Sequence, residues 1–136
     1  MTAKEYLSQA YRLDLRINSK IEQIANLNDL ATKATSVATG MPHSPNKGKS
    51  NMADTIARII DLQEEINNDI DKLVELKAEI ISVIKKVDNP EYQILLEKRF
   101  LCYMTWESIA VDMGFSIQHL YRLRDKAYER IRIPER

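Results

Sequence analysis

Residues Thr105 to Arg132 read TWESIAVDMGFSIQHLYRLRDKAYERIR, and the punctuation inside this stretch decides the fold. Thr105 precedes Trp106 and Glu107, so its hydroxyl is placed to cap a helix whose positive end Glu107 then faces. Gly114 follows Met113, where a left-handed residue ends a helix at little steric cost. Ser116 comes two residues later and caps a second helix. Between the two, Gly-Phe-Ser is the short glycine-containing link that sets paired helices at a steep angle. Ala110, four positions before Gly114, puts a small side chain where those helices approach most closely. Ile109, Met113, Phe115, Leu120 and Leu123 supply apolar contacts on either side. Together these features predict a helix-turn-helix, with helices over Trp106–Met113 and Ile117–Arg132.

Working outward, Asp88-Asn89-Pro90 redirects the chain. Pro90 disfavours helical geometry at Asn89 and then suits the first position of a new helix, predicted over Pro90–Tyr103. Upstream, Ile56, Ile59, Leu62, Ile66, Ile70, Leu73, Leu76, Ile80, Ile84 and Val87 recur at steps between three and four, and charged residues fill the gaps. With Asn51 as its cap, this helix is a rod of roughly 54 Å at about 1.5 Å per residue. Leu7, Ala10, Leu13, Ile17, Ile21, Ile24, Leu27 and Ala31 carry a matching stripe over Thr2 to about Ala38. Two prolines and two glycines interrupt residues 39–51, which read as a loop containing His43, Lys47, Gly48 and Lys49. The expected fold class is therefore all-α: a long antiparallel helical (coiled-coil) hairpin over 1–88, with loop 39–51, followed by a three-helix helix-turn-helix domain over 89–136. Self-association through the stripe competes with closure within one chain.

Composition narrows the chemistry. Lysine and arginine together match aspartate and glutamate at 20 each, so any attraction to a polyanion has to be local. From Ser116 to Arg136 six basic residues face three acidic ones, while Asn51–Val87 is acidic: a basic head on an acidic arm. The single cysteine, Cys102, excludes an intrachain disulfide, and among Phe100, Leu101 and Tyr103 it reads as a small buried residue. With His43 and His119 the only histidines, no zinc site of ordinary spacing can be assembled, so neither metal nor cofactor is expected. Lys47-Gly48-Lys49 has no preceding strand and lacks the phosphate-loop pattern. Trp106 reads as a packing residue. No catalytic constellation is present, and the chain does not read as an enzyme. Its opening residues lack the apolar core of a signal peptide and no apolar run approaches the roughly 20 residues of a membrane span, so a cytoplasmic protein is expected.

On the last predicted helix, Arg122, Lys126 and Arg130 fall at i, i+4 and i+8 and share one face, with Asp125 and Glu129 beside them. Arg99-Phe100, the Thr105–Ala110 segment and the Ser116–Arg132 segment together resemble region 4 of bacterial sigma factors, over about the last 45 residues. The opening Met1–Leu7 and the arm resemble small bacteriophage regulators of the ArpU and RinA late-transcription type. The sigma resemblance implies that the last helix enters the major groove of double-stranded DNA by its N-terminal half. Gln118, Tyr121 and Arg122 would then meet base edges, Ser116 and His119 would lie close to backbone or bases, and Arg124, Lys126 and Arg130 would complete the contact. Ile117, Gln118 and His119 stand where sigma factors carry an Arg-Glu-Arg cluster, so the family's promoter sequence does not transfer. The resemblances imply a sequence-specific transcription regulator, an activator of phage late genes in the bacterial cytoplasm. It would work with host RNA polymerase and dimerise through the arm. A small terminase-like DNA-recognition subunit and a coiled-coil protein-interaction adaptor are the alternatives.

Overall fold

The computed structural model describes residues 1–38 and 45–135, with side chains described outside 34–38 and 45–51. The protein is all-α, and no strand occurs among the described residues. Among the described residues six helices follow in order: α1 (Ala3–Leu7), α2 (Gln9–Ala38), α3 (Pro45–Lys85), α4 (Pro90–Phe100), α5 (Trp106–Met113) and α6 (Ile117–Arg130).

Two compact units are present, one of Met1–Asp14 with Lys72–Arg136 and one of Leu15–Asp71. In the first, α4, α5 and α6 pack on one another and α1 packs on α6. Tyr6, Leu7 and Ala10 from the chain start and Ile80, Val83, Ile84 and Val87 from the end of α3 share one apolar core with Leu95, Leu96, Phe100, Ile109, Leu120, Leu123 and Ala127. The sequence reading draws a boundary at Asn89; this unit also takes in both flanking segments of the arm helices. The physical reason is size, because three short helices present more apolar surface than they can bury among themselves.

The chain start is built to hold its place. Thr2 and Glu5 form a reciprocal capping box, the Glu5 N–H donating to Thr2 Oγ1 at 3.2 Å and the Thr2 N–H to Glu5 Oε2 at 3.1 Å. A local irregularity at Ser8 divides the single predicted first helix into α1 and α2, although the Arg12 N–H still donates to the Ser8 carbonyl at 3.1 Å.

In the second unit α2 and α3 lie side by side. Ile17, Leu62 and Ile66 are buried in the seam, and Asp69 is buried with them. Lys20 Nζ answers that carboxylate at 2.6 Å and lies 3.7 Å from Glu65. Lys20 comes early in its stretch of α2, and Glu65 and Asp69 come late in theirs, as an antiparallel pair requires. A charge inside an apolar seam is tolerated only with its partner opposite, so this pair selects the register.

Two predicted boundaries are corrected. Residues 45–51 are helical rather than part of a 39–51 loop, and α3 begins at Pro45 rather than at a cap on Asn51. Proline is preorganised for a first helical position, and no further proline interrupts the run behind it. Lys47, Gly48 and Lys49 therefore sit in the first turns of α3, while 39–44, with His43, lie outside the described residues. α4 stops at Phe100 instead of Tyr103 because Tyr103 takes a left-handed backbone, φ 58°. That turn also overturns the buried reading of Cys102, which is exposed. It follows the C-cap Leu101 and so points away from the α4 core face.

Leu7 is fully buried, so Leu7→Ala is expected to destabilise the first unit by about 2–4 kcal/mol. The shift is read in a denaturant titration followed by fluorescence of the sole tryptophan, Trp106. Leu30→Ala, at a side chain 57% exposed, should stay within about 0.5 kcal/mol. Equal effects would remove the chain start from the core.

Candidate nucleic-acid interface

Each helix of the C-terminal trio is set by its own cap. The Asn89 side-chain oxygen accepts from the Glu91 and Tyr92 N–H groups at 2.9 and 3.4 Å, with Pro90 at the first helical position of α4. From within α4, the Gln93 amide reaches back to the Val87 and Lys85 carbonyls at 2.6 and 3.2 Å. It satisfies acceptors that the end of α3 leaves without intrahelical donors. Thr105 Oγ1 accepts from the Ser108 N–H at 3.1 Å and opens α5. Gly114, φ 74°, closes α5, and the Phe115 N–H donates to the Ala110 carbonyl at 2.9 Å. Ser116 Oγ then accepts from the His119 N–H at 3.2 Å and starts α6. Ala110 is buried at the crossing.

α6 divides cleanly by face. Leu120, Leu123 and Ala127 are buried, whereas Ser116, Gln118, His119, Arg122, Asp125, Lys126, Glu129 and Arg130 are exposed. Spacings of three and four residues keep the buried set on one side of a 3.6-residue turn and leave the other side polar.

The sequence-predicted contact residues fall into four environments. Gln118, Arg122 and Lys126 stand open on the polar face, joined by His119, whose ring meets Phe115 edge-on at 4.9 Å. The Ser116 hydroxyl is committed to the cap. Tyr121 and Arg124 are half-buried and stacked, with the guanidinium 4.6 Å from the Tyr121 ring centre and its Nε donating to Asp125 at 3.0 Å. Arg130 reaches the other way and pairs with Asp88 at 3.0 Å; both partners are over half exposed, so the pair contributes at most about 1 kcal/mol.

Sequence reasoning missed a stack around Trp106. The indole packs edge-on against Phe100 at 6.2 Å, in keeping with its reading as a packing residue. It also holds two guanidiniums, Arg99 at 5.3 Å and Arg124 at 5.7 Å from its centre. Arg99 is further tied by Nη1 to the Met104 carbonyl at 2.9 Å. Both planar guanidiniums are thereby held in defined orientations. No linear spacing joins residues 99, 106 and 124, so only the α4–α5–α6 packing brings them together. Nearby, burial pushes the Tyr128 hydroxyl above its ordinary range, an effect that Arg124 and Arg99 oppose. Lys98 pairs with Asp112, bracing α4 against α5, and the hydrogen bond that its ammonium donates to that carboxylate raises the Lys98 pKa.

Among the described residues no group of three or more His, Cys, Asp or Glu side chains is arranged to hold a metal ion. No described helix is long and apolar enough to cross a membrane.

The turn gives a clean test of backbone strain. A Cβ built on Gly114 meets nothing within 4 Å, so the glycine is needed for its positive φ alone. Gly114→Ala is expected to cost about 1–2 kcal/mol in a denaturant midpoint, and Gly114→Asn distinctly less, because asparagine tolerates the left-handed region.

Comparison with known proteins gives one match. No curated protein and no solved structure matches the chain. Residues 43–132 match the family model described as "Protein of unknown function (DUF1492)", a span that contains α3 to α6 in full. That span exceeds half of the 136 residues, and the protein therefore belongs to the DUF1492 family.

Proposed function

We propose that this protein is a sequence-specific double-stranded-DNA-binding transcription regulator that reads the major groove with α6. The observation that carries the reading is the division of that helix. Leu120, Leu123 and Ala127 anchor it, while Gln118, His119, Arg122 and Lys126 project outward from its first three turns, directly after a three-residue turn. Glutamine can pair bidentately with adenine and arginine with guanine, so Gln118 and Arg122 are base readers. Lys126, with the stacked Arg99 and Arg124, contacts the phosphates that position the helix.

The resemblance to sigma region 4 and to ArpU- and RinA-type phage regulators supports a finer reading. In it the protein activates phage late genes in the bacterial cytoplasm together with host RNA polymerase, and its helical arm joins two copies. It is not an enzyme in this reading and needs no cofactor.

Selection from a random DNA pool, followed by mobility shifts over a salt series, tests the proposal. Affinity should fall with salt at a slope near −0.9 per phosphate contact on duplex DNA. Arg122→Ala should cost about 1–3 kcal/mol and relax preference at one base pair. Lys126→Ala should weaken all sequences alike and reduce the salt slope by about 1. Arg130→Ala should have a smaller, sequence-blind effect, since Asp88 already engages that side chain. Absence of any shift at low salt, or sequence-blind losses from Arg122→Ala, would remove α6 from the groove.

A further inference from the structure

We infer that the outer face of α3 is an isologous interface that pairs with the same face of a second copy, antiparallel and centred at the level of residue 65. This rests on the dimeric arm of the proposed function and names its surface. The stripe that α2 covers runs through Leu62, Ile66 and Asp69, all buried. One residue along, a second stripe runs through Ile60, Gln63, Asn67 and Ile70 at steps of three, four and three, and all four are exposed. Ile60 is 53% and Ile70 42% accessible, on a helix whose other exposed positions are mostly charged or amide.

The order of residues on this stripe is what points to a second copy. Counted from Glu65, the amides Gln63 and Asn67 lie two positions to either side and the isoleucines Ile60 and Ile70 five. In the sequence the symmetry continues outward to Ile56 and Val74 at nine. Two copies related by a two-fold axis that crosses the stripe at the level of residue 65 therefore set Ile60 against Ile70 and Gln63 against Asn67. Glu65 itself faces the other way, 3.7 Å from Lys20. Apolar side chains meet apolar ones, and the amides can donate and accept across the axis. A two-fold interface has to be self-complementary in this way, and an unrelated partner imposes no such symmetry.

Size agrees with a reversible dimer. Ile56, Ile60 and Ile70 leave on the order of 250 Å² of apolar surface in water per copy. With the amides and flanking stems, two copies bury on the order of 1,000 Å², where specific interfaces begin. Glu64 and Asp71 rim the stripe, both exposed. Like charges then face one another, so salt strengthens this contact while weakening DNA binding.

Sedimentation velocity of the full chain over 1–200 µM tests the pairing, with about 32 kDa expected at the upper end, twice 15.8 kDa. Ile60→Lys and Ile70→Lys should each raise the dissociation constant at least tenfold with unchanged helical circular dichroism, and Leu30→Lys should not. On a Cys102→Ser background, Gln63→Cys mixed with Asn67→Cys should cross-link on oxidation, and neither alone should. A chain that stays monomeric at 200 µM, assemblies larger than two, or cross-linking of Asn67→Cys by itself would overturn the antiparallel interface. DNA binding is read separately by mobility shift. A dimer that never shifts DNA sinks the proposed function alone, and a monomer that does shift it sinks this interface alone.

Discussion

Burial of Leu120, Leu123 and Ala127 is the constraint on which the C-terminal structure depends. A helix rotated about its axis to hide those three side chains has no freedom left in what it shows to water. Everything else in the unit serves that rotation. Gly114 sets the angle of entry, Ser116 fixes the first turn, and α1 and α4 supply the apolar surface that the stripe fills. Recruitment of Tyr6, Leu7 and Ala10 from the opposite end of the chain follows from the same need, since a trio of helices of 8 to 14 residues is too small to enclose a core alone.

Charge is handled differently on the two units. In Leu15–Asp71 a carboxylate is taken into the seam and answered by Lys20, which trades desolvation for a defined register. In the C-terminal unit the cations stay near the surface but are not left loose. Arg124 and Arg99 lie near the Trp106 ring, and Arg130 pairs with Asp88. Side chains ordered before a ligand arrives lose less entropy on meeting one, and a planar guanidinium on an aromatic face keeps its outer N–H groups available. The net neutrality of the chain is thus no guide to its local fields.

How much was legible in the residues follows from how local each signal is. The caps at Thr105, Ser116 and Asn89, the stop at Gly114 and the buried side of α6 act over three or four residues, and the sequence reading places them where the structure has them; in the arm stripes, by contrast, Ile21, Ile56 and Ile70 are exposed. The start of α3 lies upstream of the Asn51 cap that the sequence reading expects, because a proline at a first helical position starts a helix as readily as it ends one. Cys102 is exposed where the sequence reading expects burial, because apolar neighbours in sequence say nothing of direction once Tyr103 turns the backbone.

The sequence by itself determined the all-α class, the order of the C-terminal helices and which face of the last one is polar, because helical periodicity and capping are short-range physics. Only the tertiary structure decided that the chain start joins the C-terminal core, that Arg99, Trp106 and Arg124 stack, and that Lys20 meets Asp69. Those contacts join residues between 7 and about 120 positions apart, and no local pattern encodes which distant surfaces will be short of a partner.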